Sequence, residues 1–392
     1  MKSLLLLLLL TLGLSTLSHA QGITGILGGG SESPVFTGVC GTGFNLVIES
    51  TTGTAVLAAT ATTLVAVTDE NAQLGRVYTV AQDNGANNMR LVTFTNLDTT
   101  PVIQNNIVLA AASSPDSQGA LGVHLNTRGT VDNFVFIGTG QVAPCNVTPC
   151  VHARAFNDIT PGLDSFNVSA DIGGGIVYSR FDQISNTAYA HYNGTSGGPW
   201  KIAKLSSSYI LNDVRDIGAD ISGDLTSDGT SIYFTQVTGG ALLVGKITIT
   251  GFSAASVITY FSTGLTSGTS IVYENNVLHV GGLNGTTPFL VRMNAATGAI
   301  LTTTTFGAVN QAVLSGSFQY DPVNDKLYMS TTTAGAINWH RVNPLTNVVE
   351  QSVGVAQVSN AQSQMLDVPH QRMWGASRSF GTLELTKVRL CG

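Results

Sequence analysis

Asn276 to Phe306 reads NVLHVGGLNGTTPFLVRMNAATGAILTTTTF. Three short apolar runs, VLHV, FLVRM and AILTTTTF, are separated by turn-forming residues. The first break is rich in Gly, Asn and Thr; the second is Asn294-Ala-Ala-Thr297-Gly298. β-branched runs of this length, bounded by Gly and Asn clusters, read as successive strands. Variants of the unit recur along the whole chain, so its repetition decides the fold.

The repeats align on one strand position, called b. It holds Tyr78, Val135, Tyr189, Tyr233, His279, Tyr328 and Trp374, at intervals of 57, 54, 44, 46, 49 and 46 residues. A further strand, a, precedes each, ending in a polar turn such as Leu225-Thr-Ser-Asp-Gly229 or Phe318-Gln-Tyr-Asp321-Pro-Val-Asn-Asp325. A third strand, c, follows with a basic residue: Arg154, Lys204, Lys246, Arg292, Arg341 and Lys387, with Thr93 in the first unit. A fourth, d, comes after another turn, as in NPLTNVVEQSV. Seven units of four short strands predict an all-β chain folded as a seven-bladed β-propeller of four-stranded blades.

The last unit supplies SQMLDV, RMWGAS and TLELTKVRL and then stops. Phe44 to Ala59, NLVIES–TTG–TAVLAA in its core, reads as strand, turn, strand without an a or b of its own. These N-terminal strands are expected to complete the last blade and close the ring, with one strand left over. The expected organisation is a signal peptide over 1–20, a flexible lead-in over 21–39 and one propeller domain over 40–392.

FLVRMNAATGAIL, WKIAKLSS, YDPVNDKLYMS and VIESTTGTAVL resemble the repeats of secreted seven-bladed propellers of the SBBP and YVTN types. The resemblance covers about Phe44 to Leu390 and implies fold and export, not a ligand. Blades one to three depart most, being longer and carrying a cysteine loop and Asp171-Ile-Gly-Gly-Gly175.

Lys2, the leucine run Leu4 to Leu10 and the small-residue site Ser18-His19-Ala20 form a secretory signal. No later run approaches the length of a membrane span. Only 10% of residues are charged while 43% are hydrophobic, which suits a neutral-surfaced extracellular β protein. A net charge of -6 with 17 basic residues argues against a nucleic-acid partner. Four cysteines in an exported chain predict two disulfides. The favoured pairs are Cys145–Cys150, closing a small loop, and Cys40–Cys391, tying the chain ends.

Candidate chemistry is sparse. Gly194-Thr-Ser196-Gly-Gly198 lies close to a nucleophile-elbow pattern, but in a b–c turn rather than the strand-to-helix turn that motif needs. Asp213, Asp216, Asp220, Asp224 and Asp228 lack Ca²⁺-loop spacing and read as a solvated d–a connection. The histidines sit singly: His191 and His279 in b strands, His124 in an a strand, His152 and His340 in c strands. The aligned aromatics read as packing between blades rather than as a sugar-stacking ring. Asn146, Asn167, Asn193 and Asn284 open glycosylation sequons. No catalytic residue, metal ligand or cofactor is assigned.

The expected role is a secreted, non-catalytic propeller that binds or scaffolds an extracellular protein or glycan. An extracellular glycan hydrolase or lyase built on a propeller is the alternative. A filament or matrix protomer is a third. The b–c turns and d–a connections are expected to share the binding face.

Overall fold

In the computed structural model the described residues are 47–54, 65–71, 76–83, 88–98, 101–110, 122–128, 131–140, 150–157, 163–172, 188–193, 199–205, 211–218, 222–305, 312–313, 318–333, 336–356, 361–368, 370–379 and 382–390. Every element among them is a strand. The first, β1 (Val47–Thr54), belongs to the last sheet. The first sheet holds β2 (Val65–Asn71), β3 (Arg76–Asp83), β4 (Asn88–Thr95) and β5 (Val102–Ala110). The second holds β6 (Gly122–Arg128), β7 (Val131–Gly140), β8 (Cys150–Asn157) and β9 (Leu163–Ile172). The third has β10 (Ala188–Asn193), β11 (Trp200–Leu205) and β12 (Leu211–Gly218) described; its expected a strand lies outside the described residues.

The fourth sheet is β13 (Ser222–Ser227), β14 (Ser231–Thr238), β15 (Ala241–Thr248) and β16 (Thr259–Ser262). The fifth is β17 (Ser267–Glu274), β18 (Val277–Asn284), β19 (Thr287–Asn294) and β20 (Ile300–Thr305). In the sixth, β21 (Ala312–Val313) and β22 (Gln319–Asp321) both pair with β23 (Lys326–Thr333), followed by β24 (Ala336–Val342) and β25 (Val349–Ala356). The seventh joins β26 (Ala361–Asp367), β27 (Arg372–Ser379) and β28 (Thr382–Arg389) to β1. All pairings are antiparallel, and all join chain neighbours except β21 with β23 and β1 with β28.

Turn chemistry sets the registers. Thr238 pairs with Ala241 across Gly239 and Gly240, at φ 59° and 79°. Glu274 pairs with Val277 across Asn275 and Asn276, at φ 44° and 65°. Two left-handed residues between paired strands make a hairpin turn whose twist matches the strands, and Gly and Asn adopt that conformation at least cost. The c–d turns repeat another device. Asn294 Oδ1 accepts from the Ala296 and Thr297 amides at 3.0 and 2.9 Å, and Asn343 Oδ1 from those of Leu345 and Thr346 at 3.0 and 3.1 Å. Each turn then exits through a left-handed residue, Gly298 or Asn347.

One expectation for the N-terminal segment is corrected. Val47–Thr54 is a single strand, not strand, turn, strand, and runs straight through Thr51-Thr52-Gly53. Its register pairs Val47 with Arg389 and Thr54 with Leu383, with an irregularity between Ile48 and Ser50. It therefore takes the d position beside β28. The segments 1–20 and 21–39, and Ala55 to Ala59, lie outside the described residues.

The core lies between sheets rather than within one. Tyr189, Trp200, Ile202 and Ile217 of the third sheet pack with Leu225, Ile232, Phe234 and Ile247 of the fourth. Leu242 and Val244 meet Ile271, Leu278 and Val291 of the fifth. Val272 and Leu290 meet Phe318, Leu327 and Met329 of the sixth. Tyr328, Ile337 and Trp339 meet Met373 and Val388 of the seventh. Trp374 and Leu385 of the seventh pack with Val77, Val92 and Phe94 of the first. The fourth to seventh sheets bury both faces, which is why their strands are apolar on alternate and on consecutive positions alike. Each such side chain contributes on the order of 2 kcal/mol.

Candidate functional site

The aligned b-strand residues lie opposite the c-strand cations. Tyr189 is registered with Lys204, Tyr233 with Lys246, His279 with Arg292, Tyr328 with Arg341 and Trp374 with Lys387. Tyr78 faces Thr93 in the first sheet. The second sheet is offset by one: Val135 faces Ala155, and Arg154 faces Phe136. Tyr189, Tyr233, His279, Tyr328 and Trp374 are all buried. The four aromatics among them join the clusters shared with the following sheet. Lys246 Nζ lies 5.3 Å from the Tyr233 ring centre and Lys387 Nζ 5.9 Å from that of Trp374. Tyr233 also stacks on Tyr273 of the next sheet at 6.1 Å. These rings fill inter-sheet space and offer no stacking platform to a sugar.

A third member, which the sequence reading missed, is the acid at the end of strand a. Asp228, Glu274, Asp321 and Asp367 occupy it. Asp228 and Glu274 lie five residues before the b position, and Asp321 and Asp367 lie seven before it. An acid just before each of these b strands, at one of two spacings, was the available signal. Asp228 accepts from the Thr230 and Ser231 amides at 2.7 and 2.6 Å and from the Tyr233 hydroxyl at 2.8 Å. Burial pushes this carboxyl up, but its hydrogen bonds outweigh burial and hold it below the usual range. Burial and the Asp228 carboxylate together drive the Tyr233 hydroxyl well above its ordinary value.

The other acids knit neighbouring sheets. Glu274 lies 3.3 Å from His279 Nε2 and accepts from Asn275 Nδ2 at 2.6 Å. Burial raises its carboxyl, while those bonds and the charges of His279 and Arg292 bring it below normal. Asn324 Nδ2 donates to Asp321 and to Gln371 of the next sheet, both at 2.6 Å. Asp367 lies 2.6 Å from Arg372 Nε, and the other end of Arg372 reaches Asp98 of the first sheet at 2.8 Å. These charges are structural, because each is spent on a turn or on a seam between sheets.

His340 lies between Thr331 Oγ1, 2.8 Å from Nε2, and Ser352 Oγ, 2.7 Å from Nδ1. Burial pulls its pKa down to about 4. A serine beside a histidine suggests a nucleophile, but a threonine occupies the side where an orienting acid belongs. The three residues form a polar ladder across β23, β24 and β25.

The acidic run is corrected. Asp213 and Asp216 are on β12 and Asp228 closes an a–b turn. Asp224 is buried on β13, where its carboxylate accepts from the Leu225 amide, so the run is not one solvated connection. Asp220 lies outside the described residues. No group of three or more His, Cys, Asp or Glu arranged for a metal occurs among the described residues. His124, His152 and His191 are on β6, β8 and β10.

Asn284 ends β18 and is exposed, and Asn193 ends β10 at the same hairpin position. Asn167 lies within β9, opposite Ala153. Asn146, Cys40, Cys145, Cys391 and Gly194 to Gly198 lie outside the described residues. Cys150 begins β8.

The two ends of the strands differ in chemistry. The b–c turns Thr238-Gly239-Gly240-Ala241 and Asn284-Gly285-Thr286-Thr287 are small and uncharged. Val257, Ile300, Leu301, Val323, Leu345 and Val348, all exposed, lie at or beside a–b and c–d turns.

The architecture defines a β-propeller. Solved structures agree in fold. The WD40 domain of Toxoplasma gondii coronin superposes with a TM-score of 0.61 at 7% identity, over 92% of this chain and 90% of that one. A chain of the mitotic checkpoint complex gives 0.57 at 11% identity, over 94% and 99%. The Dos1 propeller gives 0.51 at 10%, over 79% and 74%. Likeness at such identities concerns fold alone. No protein-family model matches the chain, and no curated protein does.

Proposed function

We propose that the chain is a secreted, non-catalytic propeller of the SBBP/YVTN-repeat type, binding an extracellular protein or glycan through its b–c face. The observation that carries this reading is where the charge goes. The acids and cations that repeat from sheet to sheet are committed to seams and turns, leaving described b–c turns of Gly, Thr and Asn. Such a face suits recognition by shape and hydrogen bonding. The leucine-rich N-terminus supports export. In the sequence Cys40 precedes Val47 by seven residues and Cys391 follows Arg389 by two, and the pairing of Val47 with Arg389 supports a bridge between them.

A glycan array probed with the mature chain, run beside a panel of chromogenic glycosides, tests the reading. Retention on defined glycans without hydrolysis is the expected result. Turnover of a glycoside would overturn the non-catalytic assignment in favour of an extracellular hydrolase. Adding a sequon at Gly240 should impair retention more than adding one at Leu345; equal effects would contradict the choice of face.

A further inference from the structure

β20 is the outermost strand of the fifth sheet, and no described strand pairs with its outer edge. It reads Ile-Leu-Thr-Thr-Thr-Thr. Ile300 and Leu301 are each 47% exposed, and Thr303 and Thr305 are exposed too. The strand sits inside an uncharged stretch from Met293 to Tyr320. Alternate residues of an outer strand turn their N–H and C=O groups outward, a template for another strand unless charge, proline or shortness blocks it.

The other outer strands carry such blocks. β25 bears Glu350, bonded to Lys326 and Arg341 at 2.8 and 3.1 Å. β12 bears Asp213, Arg215 and Asp216, β9 bears Asp164 and Asp171, and β1 bears Glu49. β16 has four residues, and its Tyr260 hydroxyl is turned inward to Gln236 at 2.9 Å. β5 is uncharged but opens just after Pro101 and carries Asn105 and Asn106 at its centre, residues that strands disfavour. β20 alone combines six β-compatible residues with none of these devices.

From this we infer that β20 is a self-association edge, pairing with β20 of a second copy of this chain about a two-fold axis. The sequence is compatible with itself. Antiparallel self-pairing about that axis sets Thr303 opposite Thr303, Thr302 opposite Thr304 and Leu301 opposite Thr305. Threonine pairs across a ladder are favourable, and no charge meets its own image. An edge this short buries less than the roughly 1,000 Å² of a stable interface, so the dimer is weak and reversible.

Sedimentation equilibrium of the mature chain from about 1 to 500 µM tests it, a range suited to weak dimers. The expected result is a monomer–dimer equilibrium that Thr303→Lys and Thr303→Glu each weaken at least tenfold, while Ser262→Lys on β16 leaves it unchanged. Mixing the Thr303→Lys and Thr303→Glu chains should restore dimer, because opposite charges then meet across the ladder. Unchanged melting temperatures of the variants would separate lost pairing from lost folding. A wild-type chain that stays monomeric throughout, a dimer indifferent to Thr303→Lys, or a mixture that fails to recover would each overturn the assignment.

Discussion

At the residue scale, small side chains make room for large ones, and a buried imidazole ties stability to pH. Gly245 lies opposite Phe234, and a Cβ there would overlap its ring. Gly375 lies under Trp339 of the preceding sheet in the same way. Overpacking of this kind costs about 1–3 kcal/mol, so Gly245→Val should lower stability by that amount in urea unfolding. His340 gives a pH signature. Its folded pKa of about 4 lies below the ordinary 6.5, so the unfolded chain binds a proton that the folded chain refuses. Stability must then fall as pH drops from about 6.5 to 4, by roughly 3 kcal/mol at most for this group. His340→Gln should flatten the stability–pH curve in that window. An unchanged slope would contradict the burial argument. The alternation of apolar residues placed His340 on its strand, but its depth depends on packing by residues distant in sequence.

At the element scale, the repeat was legible because each unit repeats the same turn chemistry. Apart from Tyr189, whose sheet is described only from its b strand onward, the aligned b residues fall on second-position strands, and five of the c cations lie opposite b residues. Arg154 departs by one residue because the register of the second sheet is its own, which spacing alone cannot reveal. The N-terminal segment misled for a physical reason. Thr51-Thr52-Gly53 has turn composition, yet β28 offers an open edge that holds it extended. The acids of the a–b turns were visible as polar residues, but a partner such as Gln371, which meets Asp321, comes from a neighbouring unit. Arg372 shows how unequal such partners are. Its Asp367 contact is buried, whereas the Asp98 side chain is half exposed. Arg372→Met should therefore cost more than Asp98→Asn, since it removes a buried contact of Asp367 and leaves that carboxylate with His370 at 2.8 Å, while Asp98→Asn should cost under about 1 kcal/mol. Equal losses in chemical denaturation would refute this division.

At the scale of the whole molecule, stability depends on the last sheet packing against the first. Trp374 and Leu385 supply that contact from one side, and Val77, Val92 and Phe94 from the other. A bridge between Cys40 and Cys391 would reinforce it, closing a loop of about 350 residues for roughly 5 kcal/mol by loop entropy. Cys40→Ser should then destabilise by several kcal/mol and Cys145→Ser by much less, and non-reducing peptide maps should contain the Cys40–Cys391 cross-link. Recovery of Cys40 joined to Cys145 would contradict the pairing. None of this identified a ligand, since the repeat constrains seams and leaves the face between strands free to vary.

The central claim is that the N-terminal strand completes the last sheet. Native-state hydrogen exchange tests it most directly, by comparing peptides over Val47–Thr54 and Thr382–Arg389 in the full mature chain and in one beginning at residue 55. Slow exchange in both peptides of the full chain, with protection of Thr382–Arg389 collapsing on truncation, is the result the account requires. Free exchange across Val47–Thr54, with Thr382–Arg389 equally protected in both chains, would contradict it.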